Sequence, residues 1–158
     1  GRRLIDAIGW AAILSQLLAA LGSLFAKAGI GKIVSDIVAS AIPTDSALAV
    51  VIAYCLGMAV FTIIMGNAFA AFAVITSGIG IPLVIVAHGA NPLIVAPIAM
   101  LAGYCGTLMT PMAANFNIVP AALLEMQSKY GVIRAQIPLA ISLLAANILL
   151  MYFLGFHS

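Results

Sequence analysis

The feature that most constrains this chain is a long stretch without formal charge. No Asp, Glu, Lys or Arg occurs between Asp45 and Glu125. An ordinary soluble domain carries about a quarter charged residues, whereas this chain carries 6% and is 65% hydrophobic. At about 20 residues per membrane-spanning helix, the stretch requires three or four passes with uncharged connections. The sequence therefore predicts an all-α, polytopic helical membrane protein surrounded by the lipid bilayer. Without a basic patch, nucleic acid is excluded as a partner.

Turn residues divide the chain, which we interpret as a single transmembrane domain, into five segments. We expect a span at residues 4–25, an interfacial helix at 30–41, a helical hairpin at 46–87, a broken helix at 92–127 and a span at 135–156. Residues 30–41 are placed at the membrane surface because apolar residues recur there at three and four spacing opposite polar ones. The distribution of Lys and Arg assigns the N-terminus and the loop at 129–134 to the cytoplasmic side.

The hairpin turns at Gly66 and Asn67, a pair that is typical of turns, between two uncharged apolar arms. A turn in water would normally carry charge, so we expect a re-entrant hairpin whose tip stays at membrane depth. Irregular backbone is tolerated at that depth only where it is buried in protein or lines a wet cavity. The tip is therefore a candidate site.

A second irregular segment reads Thr-Pro-Met-Ala-Ala-Asn-Phe-Asn at residues 110–117. Pro111 lacks a backbone donor, so the sequence predicts a discontinuous helix that is broken in the membrane. Before the break, Gly103 and Gly106 offer a small face for close helix packing.

Two such breaks brought together provide free backbone amides for a carboxylate and free carbonyls for Na⁺, without any charged side chain. We expect the asparagines and Thr110 to add side-chain donors and acceptors. The candidate substrate-binding residues are Gly66, Asn67, Ala68, Thr110, Pro111, Ala114, Asn115 and Asn117. The other polar residues of the apolar segments are expected only to bond a neighbouring helix or their own backbone; they are Gln16, Thr62, Thr76, Ser77 and Thr107.

Enzymatic chemistry is not expected. An intramembrane hydrolase could be assembled from Ser77 and His88, but no Gly-x-Ser-x-Gly motif or Asp partner accompanies them. The sequence shows no metal-ligand spacing and no phosphate-binding loop. We therefore expect no cofactor, with Na⁺ as a candidate coupling ion.

Three stretches resemble a known family: GNAFAAFAVITSGIGIP at 66–82, HGANP at 88–92 and GYCGTLMTPMAANFNIVPAALLE at 103–125. They are similar to a bacterial inner-membrane family, once a domain of unknown function, whose members are assigned as 5-oxoproline (pyroglutamate) transporter subunits. The resemblance covers the whole chain and begins in the middle of family members. Together with Gly1 in place of an initiator Met, it implies that further spans precede the chain.

A weaker likeness is to the ion transporter superfamily, which includes divalent anion/sodium symporters. Its members have a Ser-Asn-Thr hairpin tip and a proline-rich break in a later helix, similar in order to residues 66–68 and 110–117. Here Gly66 and Ala68 replace the two hydroxyl residues, so the ligand roles carry over only through the backbone and Asn67. The likeness implies two inverted repeats, of which this chain shows one.

These observations favour membrane transport of a small carboxylate, by resemblance 5-oxoproline, across the bacterial inner (plasma) membrane. The chain would be half or a subunit of a secondary transporter, completed by a partner membrane subunit or a missing N-terminal half. The alternative is a non-catalytic structural membrane subunit whose polar breaks only pack against a partner.

Overall fold

A computed structural model describes residues 27–156 together with Ala20 and Leu24. The span predicted at residues 4–25, with Gln16, otherwise lies outside the described residues. The described helices are α1 (Ile30–Ala41), α2 (Ala47–Met65), α3 (Ala68–Ile75) with its continuation as a π-helical segment (Thr76–Ala87), α4 (Pro92–Met109), α5 (Ala114–Leu123) and α6 (Gly131–Gly155). Four of them, counting α3 with the π segment as one, are long and apolar enough to cross a membrane. The predicted polytopic helical fold is confirmed.

The helical hairpin consists of α2 and the arm formed by α3 and the π segment. Ser46 caps the N-terminus of α2, where its side chain accepts from the Ala49 amide. Gly66 ends α2 in the left-handed conformation, with φ 72°, and Asn67 begins α3. Because α2 has 19 residues, it is about 28 Å long, close to the thickness of the hydrocarbon core. Each arm is thus long enough to cross completely, and a tip within the membrane stays a prediction.

The second arm departs from a regular α-helix at Thr76, where the π segment begins. Its sequence contains Gly78, Gly80 and Pro82, residues that weaken the α-helical hydrogen-bond ladder. Gly80 lies against the aromatic ring of buried Tyr54 on α2, and the Tyr54 hydroxyl is hydrogen-bonded to Thr76 Oγ1 at 2.8 Å. Long π-helices are rare, and the periodicity of the sequence did not predict this one.

The centre of the bundle is the contact between α2 and α4. A Cβ atom added at Gly106 would overlap the Ala59 carbonyl oxygen, and one at Gly103 would lie 2.9 Å from Met58 Cε. The small face predicted on α4 is therefore confirmed, because these glycines allow the two backbones to approach closely.

The last span, α6, packs along α4 and returns the chain to the start of α4. The Asn91 amide donates to the Gly155 carbonyl oxygen at 2.9 Å. The hairpin turn and the helix break therefore lie at one end of the bundle, and Ser46, Asn91 and Gly155 at the other. The last span begins at Gly131 rather than at residue 135, and Pro138 lies inside it.

Candidate functional site

The hairpin turn and the helix break are in direct contact. A Cβ atom built on Gly66 would lie 2.8 Å from Met112 Cβ and 2.9 Å from the carbonyl atoms of Met112. The segment between α4 and α5 thus passes directly over the turn between α2 and α3. We call this region, residues 62–70 with 107–117, the turn–break junction.

Thr110 joins the two parts of the junction. Its hydroxyl donates to the Ile63 carbonyl oxygen at 2.8 Å and accepts from the Met112 amide at 3.2 Å. Ile63 lies in the last turn of α2, where backbone carbonyl groups have no N–H partner from a following turn of the same helix. Thr110 is 1% exposed, so its hydroxyl satisfies a carbonyl that water would otherwise have to reach.

Asn117 performs the same task for the end of α4. Its Nδ2 donates to the carbonyl oxygens of Thr107 at 2.8 Å and Thr110 at 2.6 Å. The Thr107 carbonyl has no helical partner because the residue four positions on is Pro111, which lacks an N–H group. The side chain of Asn117 therefore replaces the hydrogen bond that Thr107 loses because of Pro111.

Asn67 is the N-cap of α3. Its Oδ1 accepts from the Phe69 amide at 2.8 Å and the Ala70 amide at 3.4 Å. This use of an asparagine oxygen at the first turn is a common helix cap. The Asn67 Nδ2 has no hydrogen-bond partner among the described residues.

The remaining predicted site residues differ in position. Ala68 is buried, and a Cβ atom added at Gly103 would lie 3.2 Å from the Cβ of Ala68. Pro111 and Ala114 are exposed. Asn115 belongs to α5, and its side chain lies outside the described part of the chain. The junction therefore brings Gly66, Asn67, Ala68, Thr110 and Asn117 together around one contact.

The backbone dipoles of the two breaks are less free than the sequence suggested. Side chains from Asn67, Thr110 and Asn117 already bond the helix ends that we expected to be open. Within the junction, two buried oxygens have no hydrogen-bond partner among the described residues, namely Asn117 Oδ1 and Thr107 Oγ1. Leaving a buried polar atom without a hydrogen bond is costly, and such atoms are rare in folded proteins. Thr107 was expected to bond a neighbouring helix or its own backbone, but its hydroxyl bonds neither among the described residues. Its position four residues before Pro111 is the sequence feature that could have drawn attention to it.

The other polar residues that were expected to bond locally do so where the structure describes them. Thr62 Oγ1 donates to the Met58 carbonyl at 2.7 Å, Ser77 Oγ to the Val74 carbonyl at 2.9 Å, and Thr76 bonds Tyr54. His88 Nδ1 lies 2.7 Å from the Leu83 carbonyl oxygen. Ser77 and His88 are each engaged with nearby backbone at opposite ends of the π segment. Among the described residues, no three His, Cys, Asp or Glu side chains group as metal ligands.

A second polar location was not found from the sequence. Asn147 on α6 is 7% exposed, and its Nδ2 donates to Cys105 Sγ on α4 at 3.6 Å. Both residues line a groove of about 160 Å³ together with Leu101, Tyr104, Leu108 and Leu143. The sequence feature that could have pointed to this groove is the carboxamide of Asn147 inside an otherwise apolar span.

The fold and the junction define a helical membrane protein with a hairpin turn packed on a discontinuous helix. The chain belongs to the DUF979 family, described as a protein of unknown function, whose family model matches residues 1–156. No curated protein and no solved structure matches the chain.

Proposed function

We propose that the chain is the substrate-binding half of a secondary transporter for a small carboxylate, with 5-oxoproline as the candidate solute by family resemblance. The observation that carries the proposal is the contact of Gly66 with Met112, which unites two helix interruptions in one place. Discontinuous helices that meet in this way are how many transporters build solute sites without charged side chains. The rest of the transporter would be a partner membrane subunit or spans preceding this chain, in a bacterial inner membrane.

The first turn of α3 is the candidate position for the carboxylate. A helix N-terminus carries a partial positive charge and amide donors, which favour an anion. Asn67 Oδ1 occupies the amides of Phe69 and Ala70, which leaves the earlier amides of the turn and Asn67 Nδ2 for a solute. Because Thr110 ties the break to the last turn of α2, movement of the break would shift the hairpin tip with it.

Na⁺ is the candidate coupling ion. Asn117 Oδ1 and Thr107 Oγ1 are buried oxygens without partners among the described residues, and they lie near the end of α4, where backbone carbonyls also concentrate. Uncharged oxygens of this kind at a broken helix fit a small hard cation. Replacing external Na⁺ with choline should abolish uptake, and Asn117→Ala should raise the Na⁺ concentration required for half-maximal uptake.

The test of the solute site is uptake of labelled 5-oxoproline by cells that produce the full-length protein with its partner. Asn67→Ser keeps an oxygen at the N-cap of α3 but removes the Nδ2 donor. We expect it to raise the KM about tenfold or more, the effect of losing one hydrogen bond to a charged solute. Ser46→Ala, which removes an N-cap at the opposite end of the bundle, should leave the KM unchanged. Wild-type uptake in Asn67→Ser at wild-type protein level would overturn the assigned site.

A second candidate function is that of a non-catalytic structural membrane subunit. It is favoured by the bonds through which Asn67, Thr110 and Asn117 cap helices of their own chain. This hypothesis requires only intact caps, so Asn67→Ser should be silent while Asn67→Ala, which removes the cap, should lower protein stability and membrane level. The two functions thus differ in the result for Asn67→Ser.

A further inference from the structure

A third buried oxygen without a hydrogen-bond partner lies on the last span. Among the described residues, Gln136 Oε1 on α6 shares this property with Thr107 Oγ1 on α4 and Asn117 Oδ1 on α5. The three oxygens thus come from the three consecutive helices that follow the hairpin. Because each unpaired buried oxygen is costly, their relative positions decide whether one ligand could serve all three.

Asn117 connects the first two oxygens. Its Nδ2 donates to the Thr107 carbonyl oxygen at 2.8 Å, so its carboxamide lies beside the residue that carries the Thr107 hydroxyl. The same bond identifies the nitrogen end of the carboxamide and leaves Oδ1 as the end that can only accept. Asn117 is 0% exposed and Thr107 is 6% exposed, so both oxygens are enclosed by protein.

The helix register brings Gln136 close to the level of Asn117. Helices α5 and α6 pack against each other, and the short connection between them makes them run in opposite directions. Asn117 is six residues before the end of α5 and Gln136 is five residues after the start of α6, about 9 Å and about 7.5 Å from that connection. Both positions lie on inward faces, because the neighbours one turn away, Ala121 on α5 and Ile133 and Ala140 on α6, are buried.

We propose that Gln136 is a ligand of the coupling cation, which the three oxygens would hold between α4, α5 and α6. The inference rests on the proposed function for the identity of the ion, Na⁺, and adds α6 to its site. The carboxamide oxygens of Asn117 and Gln136 only accept hydrogen bonds, so they suit a cation and not an anion. No Asp or Glu occurs between Asp45 and Glu125. Uncharged ligands favour a monovalent ion over Ca²⁺, whose sites use carboxylates.

A cation at this place would link the helix break to the last span. Asn117 already bonds the carbonyl oxygens of Thr107 and Thr110, so its position fixes α5 against the end of α4. An ion bound by Asn117 and Gln136 would in the same way fix α5 against α6. Because such an ion binds only where the three helices are assembled, it should stabilise the folded protein.

The test is the thermal stability of the purified full-length protein in detergent, titrated with NaCl against choline chloride at constant ionic strength and without any carboxylate solute. The Tm of the wild type should rise with the Na⁺ concentration. Gln136→Met keeps the length of the side chain and removes its oxygen. We expect this variant to require about tenfold more Na⁺ for half of the wild-type rise in Tm, the effect of losing one bond to a charged group.

The sign of the effect in choline separates a ligand from a structural residue. Without Na⁺, Gln136→Met should be at least as stable as the wild type, because it removes a buried oxygen that has no partner among the described residues. A structural role predicts instead a loss in Tm that is equal in Na⁺ and in choline. Gln127→Met is the matched control, since Gln127 is exposed in the connection between α5 and α6 and should leave both the Tm and its response to Na⁺ unchanged.

Two results would overturn the inference: a wild-type Tm that is the same in Na⁺ and in choline, or a wild-type response to Na⁺ in Gln136→Met. Neither result depends on transport, which is measured separately as uptake of labelled 5-oxoproline. A response to Na⁺ that Gln136→Met weakens, in a protein without uptake, would contradict the proposed solute and support this ion site. Uptake by a protein whose Tm does not respond to Na⁺ would contradict the ion site and leave the transport proposal intact.

Discussion

The Thr110 hydroxyl donates a hydrogen bond to the carbonyl oxygen of Ile63, 47 residues away in the sequence. This bond fastens the helix break to the last turn of α2 and thereby to the hairpin tip. It also explains why a hydroxyl residue stands directly before Pro111. The proline ends the α4 ladder, and the side chain of the preceding residue, now in an extended conformation, is directed across to α2.

Thr110→Val should destabilise the protein, because it leaves the Ile63 carbonyl and the Met112 amide without their partner. We expect a loss of about 1 to 2 kcal/mol in the free energy of unfolding, measured by SDS titration in mixed micelles with circular dichroism. Thr110→Ser retains the hydroxyl and should lose less than half as much. Equal losses in the two variants would show that the methyl group, not the bond, matters.

Gly66→Ala tests the contact between turn and break, with Gly89→Ala as its matched control. Both glycines have positive φ, 72° and 69°, so both substitutions carry a backbone cost of about 1 kcal/mol. Only at Gly66 would the new Cβ meet a neighbour, the backbone of Met112, whereas nothing lies within 4 Å at Gly89. We therefore expect Gly66→Ala to lower the free energy of unfolding by about 2 kcal/mol more than Gly89→Ala. Similar losses would mean that the segment over the turn is free to move away.

The positions of both interruptions could be predicted from the sequence because proline, glycine and asparagine act locally. Pro111 lacks an amide wherever it lies, and a glycine such as Gly66 can adopt the left-handed conformation without the steric cost that a side chain would add. The partners of these groups could not be predicted, because the bonds from Thr110 to Ile63 and from Asn117 to Thr107 depend on tertiary packing. For that reason the sequence suggested free helix ends where the structure has capped ones.

Gly106→Ala should force α2 and α4 apart, because the added Cβ would overlap the Ala59 carbonyl oxygen, a backbone atom that cannot rotate away. We expect a loss of about 1 to 3 kcal/mol in the free energy of unfolding. Gly57→Ala is the matched helical control, since its nearest contacts would be methyl groups of Ile75 and Ile79, at 3.3 Å and 3.4 Å, and not a backbone atom. For Gly57→Ala we expect the free energy of unfolding to change by less than about 1 kcal/mol. A larger loss for Gly57→Ala than for Gly106→Ala would contradict the close contact between α2 and α4.

The π segment and the groove at Asn147 were outside the reach of sequence reasoning for a related reason. Apolar periodicity distinguishes helices from strands, but in a fully apolar segment it does not specify the hydrogen-bond register. The register at Thr76 depends on Tyr54, which lies in the opposite arm of the hairpin. The role of the single carboxamide of Asn147 in α6 likewise cannot be predicted until its neighbours on α4 are known.

The hydrogen bond between Tyr54 and Thr76 should be measurable by a double-mutant cycle. Tyr54→Phe and Thr76→Val each remove one partner at the point where the arm changes from α-helix to π-helix, and each should lower the free energy of unfolding by about 1 kcal/mol. If the bond is the shared cause, the double variant should lose scarcely more than either single one. Ser77→Ala is the control, because its hydroxyl bonds only the Val74 carbonyl within the same arm. Fully additive losses from Tyr54→Phe and Thr76→Val would show that the two side chains stabilise the hairpin independently of each other.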